Sequence, residues 1–178
     1  MIRRPPRSTQ GVSSAASDVY KRQIVMSDNR LVFSFMQPIY RIGTCIHWPL
    51  IRFIVGINLV PHGYRKLFDG TMEKTVAAFD TIHFPFPFDL FSSLTLVYVV
   101  AITEFLGGIL IIAGFLTRLA AAAATIFLAT AVYVHFHQGF FWTDRGYEYP
   151  LLWAVVSLAI FLRGGGSFSV DSMLSKEL

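Results

Sequence analysis

The chain has 178 residues, 54% of them hydrophobic and only 15% charged, and a positive mean hydropathy. That is too apolar for one soluble core, and the apolar residues come in blocks long enough to cross a bilayer. The net charge of +4 does not indicate a nucleic-acid partner: Arg3, Arg4, Arg7, Lys21 and Arg22 against Asp18 carry all of it, and the other residues balance ten basic groups with ten acidic ones.

Residues 1–23, MIRRPPRSTQGVSSAASDVYKRQ, contain no apolar h-region and so do not read as a signal peptide. They resemble translated sequencing-adapter sequence, with SSAASDVYKRQ as the recurrent string, and the alternative is a disordered basic tail. On the first reading the native protein begins near Met26. Residues 24–48 are apolar but broken by Pro38 and Gly43, which reads as an interfacial lead-in. The single cysteine, Cys45, excludes an intrachain disulfide and a Cys-x-x-Cys pair and is expected to be a small packing residue.

Four segments are expected as membrane helices. The first runs from Pro49, well suited to a helix start, to Phe68, with Pro61 freeing the carbonyl of Ile57. Met72, Val76 and Phe79 then fall at helical spacing, which predicts a short interfacial helix within residues 71–82. Pro85 and Pro87 exclude regular helix after it. The second span runs from about Ser93 to Phe115 and the third from about Arg118 to Phe136, so close together around Gly114 that they must form an antiparallel hairpin. The fourth, Tyr149 to Arg163, is flanked by Trp142 and Tyr147 as an aromatic belt and stopped by Gly164 to Gly166. The expectation is an all-α integral membrane four-helix bundle with a short interfacial helix between the first and second spans. Basic residues are slightly richer on the side of the termini, which favours cytoplasmic termini.

Glu104 sits near the middle of the second span, where a carboxylate costs ~2.5–3.5 kcal/mol unless it faces the protein interior. Gly107 and Gly108 lie one turn on, close to the same face, and Gly56 and Gly114 are further close-packing positions. By depth, Arg52 or His62 on the first span is the expected partner of Glu104, while His135 and Glu148 lie toward the opposite surface. Arg118 and Lys66 read as interface anchors. His135 and His137, two residues apart, fall on different helix faces and have no third ligand nearby, so no metal is expected.

The strings LIRFIVGINLVPHGYRKLF, EFLGGILIIAGFLTRLAA and GYEYPLLWAVVSLAIFLRGGGSFSVD, in this order, resemble the DoxX family of small bacterial membrane proteins over roughly Pro49 to Asp171. The matching positions are Arg52, Gly56, Gly63, Lys66, Glu104, Gly107, Gly108, Gly114, Thr117, Arg118, Glu148, Gly164 and Asp171. The resemblance implies a four-helix bundle of the bacterial inner membrane. It also implies a likeness to DoxD, the membrane subunit named with thiosulfate:quinone oxidoreductase. The expected role is an accessory subunit of a quinone-linked redox or stress-related membrane complex, with no self-contained catalytic motif. A quinone headgroup would then sit at Glu104, Arg52 and His62, with His135 and Glu148 toward the mouth. Two rival readings use the same charges: a small proton-coupled transporter, and a structural assembly factor.

Overall fold

The computed structural model describes residues 32–174, so the adapter or tail reading of residues 1–23 lies outside the described residues. Among the described residues there is no strand, and the chain forms five helices. These are α1 (Gln37–Phe68), α2 (Met72–Phe79), α3 (Ser93–Ala113), α4 (Thr117–His135) and α5 (Glu148–Arg163). Two compact units divide the chain, Met1–Cys45 and Ile46–Leu178. The described part of the first is a 3-10 turn, Ser34–Met36, and the opening turns of α1. Cys45 is exposed there, which corrects the expectation of a packing residue. The second unit contains the site.

Helix α1 starts at Gln37, not at Pro49, so the expected lead-in is helical from residue 37 onward. Pro49 and Pro61 both lie inside the helix. Each removes one backbone donor, and the helix continues through both. Helices long and apolar enough to cross a membrane are Ser34–Phe68, Ser93–Ala113 and Thr117–Gln138. Helix α5, at 16 residues, is shorter than the ~20 that a perpendicular crossing needs. The helix expected within residues 71–82 is α2, and none of its side chains is buried.

The core draws Trp48, Val55 and Leu59 from α1, Ile111 from α3, Ala120, Ala121 and Ala124 from α4, and Ile160 from α5. Small residues set the spacing. A Cβ on Gly56 would meet the Gly108 carbonyl and Ile112, and one on Gly63 would meet the Phe105 nitrogen and the Ala101 carbonyl. Moving seven residues up α1 therefore moves back along α3, so these helices run antiparallel with glycines at their closest approach. Ala120, Ala121 and Ala124 of α4 are buried in one cluster with Ile160 of α5, the helix against which α4 packs most extensively.

One interruption in α3 matters for function. Thr103–Gly107 form a π-helical turn, whose extra residue widens the helix locally. Gly63 packs against this widened turn, and Glu104 is part of it.

The hairpin between α3 and α4 is equally specific. Gly114 (φ 68°) and Leu116 (φ 49°) are both left-handed, a region that costs a side-chain-bearing residue free energy. The cost at Leu116 is offset by Asp171, whose Oδ1 accepts the Leu116 N–H at 2.8 Å. Its Oδ2 accepts the Thr117 N–H at 2.9 Å and the Thr117 hydroxyl at 2.5 Å. A carboxylate 54 residues downstream thus caps the start of α4.

Candidate functional site

Glu104 is 4% exposed, and its carboxylate is met by the ammonium of Lys66 in an ion pair. The register just described explains the choice of partner. Glu104 lies on the stretch of α3 that packs against Gly63, and Lys66 is three residues beyond Gly63, one turn along α1. Arg52 is fourteen residues earlier than Lys66, about 21 Å along the helix axis, which is too far. The expected pairing with Arg52 or His62 is therefore corrected, and Lys66, expected as an interface anchor, reaches inward.

Arg52 belongs to a different polar cluster. It is 1% exposed and donates to the Phe168 carbonyl, with its guanidinium against Gly114 and Ser169. A Cβ at Gly114 would overlap that guanidinium, so glycine serves both the left-handed turn and this contact. Burial alone would raise the Asp171 carboxyl. Hydrogen bonds from the Thr117 side chain and the Thr117 and Leu116 N–H groups, with the Arg52 charge, outweigh it and hold the group below the usual carboxylate range. Arg118, expected as an interface anchor, donates to the carbonyls of Phe161 at 3.2 Å and Leu162 at 3.0 Å. A cation is thereby placed on the C-terminal end of α5, where the helix dipole favours it.

Lys66 also lines a cavity of about 1000 Å³ bounded by α3, α4 and the segment after α2. Its walls are mostly apolar, among them Leu96, Val99, Val100, Ile126 and Phe127, and its polar groups include Thr81, Thr103, Thr130 and His135. A second cavity of about 640 Å³ lies among α1, α4 and α5 and is lined by Asn58, His62, His135, Tyr149 and Trp153. Phe127, Ala131 and His135 belong to both linings.

The expected site residues therefore separate. Glu104 and His135 are associated with the larger cavity, the first through Lys66 and the second directly. His62 lines the smaller one on the exposed side of α1. Glu148 lines neither cavity; its Oε2 accepts the Trp142 N–H at 3.1 Å and closes the loop before α5. Of the expected packing glycines, Gly56 and Gly108 lie at the α1–α3 contact, whereas a Cβ on Gly107 would find its nearest neighbour, Thr103 Cγ2, at 3.9 Å. Sequence reasoning missed Lys66 as the inward partner and Asp171 as the cap of α4. Their signal was limited to the family resemblance, which contains both.

What the arrangement can do chemically follows from the pair. An ammonium has three N–H donors, and the ion pair with Glu104 engages one of them. The neutralised pair leaves hydrogen-bonding capacity beside an apolar cavity without a net charge to solvate, a setting suited to an uncharged lipophilic molecule with an oxygen acceptor.

Comparison with known proteins identifies the family. The DoxX family model matches residues 47–138. An uncharacterized protein of Haemophilus influenzae is 35% identical over 136 residues, 76% of this chain and 87% of the relative. A Bacillus subtilis protein named "Putative oxidoreductase CatD" is 30% identical over 141 residues, 79% of this chain and 93% of the relative. No solved structure matches. With the family model covering just over half of the chain and two relatives matched over most of their length, the chain is a membrane protein of the DoxX family.

Proposed function

We propose that this protein is an accessory membrane subunit of a quinone-linked redox complex, and that the larger cavity holds the quinone headgroup. The observation that carries the proposal is the double role of Lys66, which neutralises buried Glu104 and lines an apolar cavity of about 1000 Å³. In this reading Lys66 donates to a headgroup oxygen. Glu104 holds Lys66 in place and is the nearest proton acceptor. The oxidoreductase in the name of the Bacillus subtilis relative supports a redox setting, and electrons would come from partner subunits.

The same proposal includes the membrane arrangement. Helix α5, extended by its flanking aromatic residues, serves as a fourth span beside the three long helices. Helix α2 lies at the interface, and the inner membrane surrounds a bundle with cytoplasmic termini.

Binding of decylubiquinone to the purified protein in detergent, followed by isothermal titration, tests the reading. Saturable binding lost in Lys66→Met but kept in Glu148→Gln is the expected result. Absence of quinone binding, together with Glu104-dependent proton flux in liposomes, would overturn it in favour of a transporter.

A further inference from the structure

The end of the bundle away from the larger cavity carries a surplus of positive charge. At this end α1 passes Trp48, α3 gives way to α4, and α5 stops. Among residues 46–174, Arg52, Arg118 and Arg163 lie here against one carboxylate, Asp171, whose two oxygens are taken by the Leu116 and Thr117 donors. At the opposite end the balance is reversed. There Asp69, Glu73, Asp80, Asp89, Asp144 and Glu148 face Arg65, Lys74 and Arg145, apart from the Lys66–Glu104 pair.

Two of the arginines, on different helices, converge on the last turn of α5. Arg118 of α4 donates to the carbonyls of Phe161 and Leu162 and reaches that of Arg163 at 3.5 Å. Arg163 is exposed, yet its guanidinium is held in place. Its Cζ lies 4.4 Å from the centre of the Trp48 ring, and its Nη1 lies 3.2 Å from His47 Nε2. Trp48 is itself fixed, 8% exposed and donating its indole N–H to the Gly164 carbonyl at 2.9 Å. Neither partner of Arg163 is an anion, and among the described residues Arg163 enters no ion pair. Its orientation is therefore set while its charge is uncompensated, and the exposed apolar side chains of Phe161 and Leu162 stand next to it.

We propose that this corner binds the phosphate of an anionic phospholipid in the leaflet at this end of the bundle. The site is independent of the quinone reading. The planar fork of Arg163 takes two phosphate oxygens at once, the geometry in which arginine binds phosphate best. Arg118 adds a second charge at the same turn, and the acyl chains lie along Phe161 and Leu162. A free anion would meet the charges but gain nothing from that apolar flank. A zwitterionic headgroup brings its own ammonium into a region already rich in cations, so a net-anionic lipid is preferred. One basic residue near an anionic surface is worth about fivefold in binding. Two give a preference of about tenfold here, because the α5 carbonyls already engage part of Arg118.

Native mass spectrometry of the purified full chain measures the dissociation constants of its one-to-one complexes with dioleoylphosphatidylglycerol and dioleoylphosphatidylcholine. Wild type is expected to bind the anionic lipid about tenfold more tightly. Arg163→Gln should reduce that preference to about twofold. Arg163→Lys, which keeps the charge without the planar fork, should retain part of it, and it serves alone should Arg163→Gln fail to fold. Arg145→Gln, at the opposite end, should leave the preference unchanged. Equal binding of the two lipids by wild type would overturn the proposal, as would a preference that survives intact in Arg163→Gln. Inorganic phosphate that displaces the lipid with equal strength would overturn the lipid assignment in favour of a free anion.

Discussion

Replacing Lys66 with methionine keeps the length and apolar stem of the side chain and removes only its charge. The Glu104 side chain is 5% exposed and that of Lys66 is 17% exposed, so water reaches the lysine end of the pair but hardly the carboxylate. At the effective dielectric constant of about 20 that suits protein sites, a pair about 4 Å apart gains about 4 kcal/mol, and loss of one partner of a buried pair costs ~3–5 kcal/mol. The partly exposed lysine end places Lys66→Met at the lower end, about 3 kcal/mol. Glu104→Gln is milder, at about 1 kcal/mol, because the ammonium left behind can bend into the cavity toward water. The double variant puts a neutral amide beside an apolar chain and should lose only about 1.5 kcal/mol. The coupling between the two sites is then about 2.5 kcal/mol. Equilibrium unfolding in mixed micelles across the four proteins measures it. If the losses in the double variant equal the sum of the single ones, the pair is not the unit described here.

Two further predictions concern packing and pH. Gly63→Ala forces a methyl into the Phe105 nitrogen and the Ala101 carbonyl, backbone atoms that cannot turn aside, and should cost at least ~1–3 kcal/mol. Gly107→Ala, three residues beyond Glu104, makes only an ordinary contact with Thr103 Cγ2 at 3.9 Å and should be neutral or stabilising by ~0.5–1 kcal/mol; thermal stability in detergent separates the two. Asp171 has a lowered folded-state value, so its contribution is fully present above the unfolded-state value of about 4 and is lost as pH falls through the lower folded one. Asp171→Asn should therefore be less stable than wild type by ~1–2 kcal/mol at neutral pH, with the gap closing below about pH 4. A gap that stays constant from pH 7 to pH 3 would contradict the capping role.

Much of this molecule is legible as hydrophobic pattern. The hairpin at Gly114, the end of α5 at Arg163 and the short helix at Met72 follow from local chemistry: a glycine able to turn left-handed, a glycine run, an apolar period. The start of α1 was not legible, because Pro49 is as compatible with a helix start as with a tolerated interior position. The partner of Glu104 was hidden for a different reason. It depends on the register of α1 against α3, set by glycine contacts between segments joined through α2 and an irregular loop, and no local signal in that loop encodes it. The π turn adds one residue to that register and has no reliable sequence signature. Nor does depth along a helix distinguish a lysine that reaches inward from one that anchors at the surface.

The cap on α4 has a consequence for biogenesis. The ribosome delivers the α3–α4 hairpin to the membrane well before it delivers Asp171, the residue that satisfies the first N–H groups of α4. Until then the Leu116 N–H lacks the Asp171 acceptor that supports its left-handed backbone in the folded protein. The hairpin therefore gains this cap only when the segment after α5 folds back onto it. Quality control that senses an exposed helix start would find its target in chains stalled before Asp171, with all the long apolar helices already made.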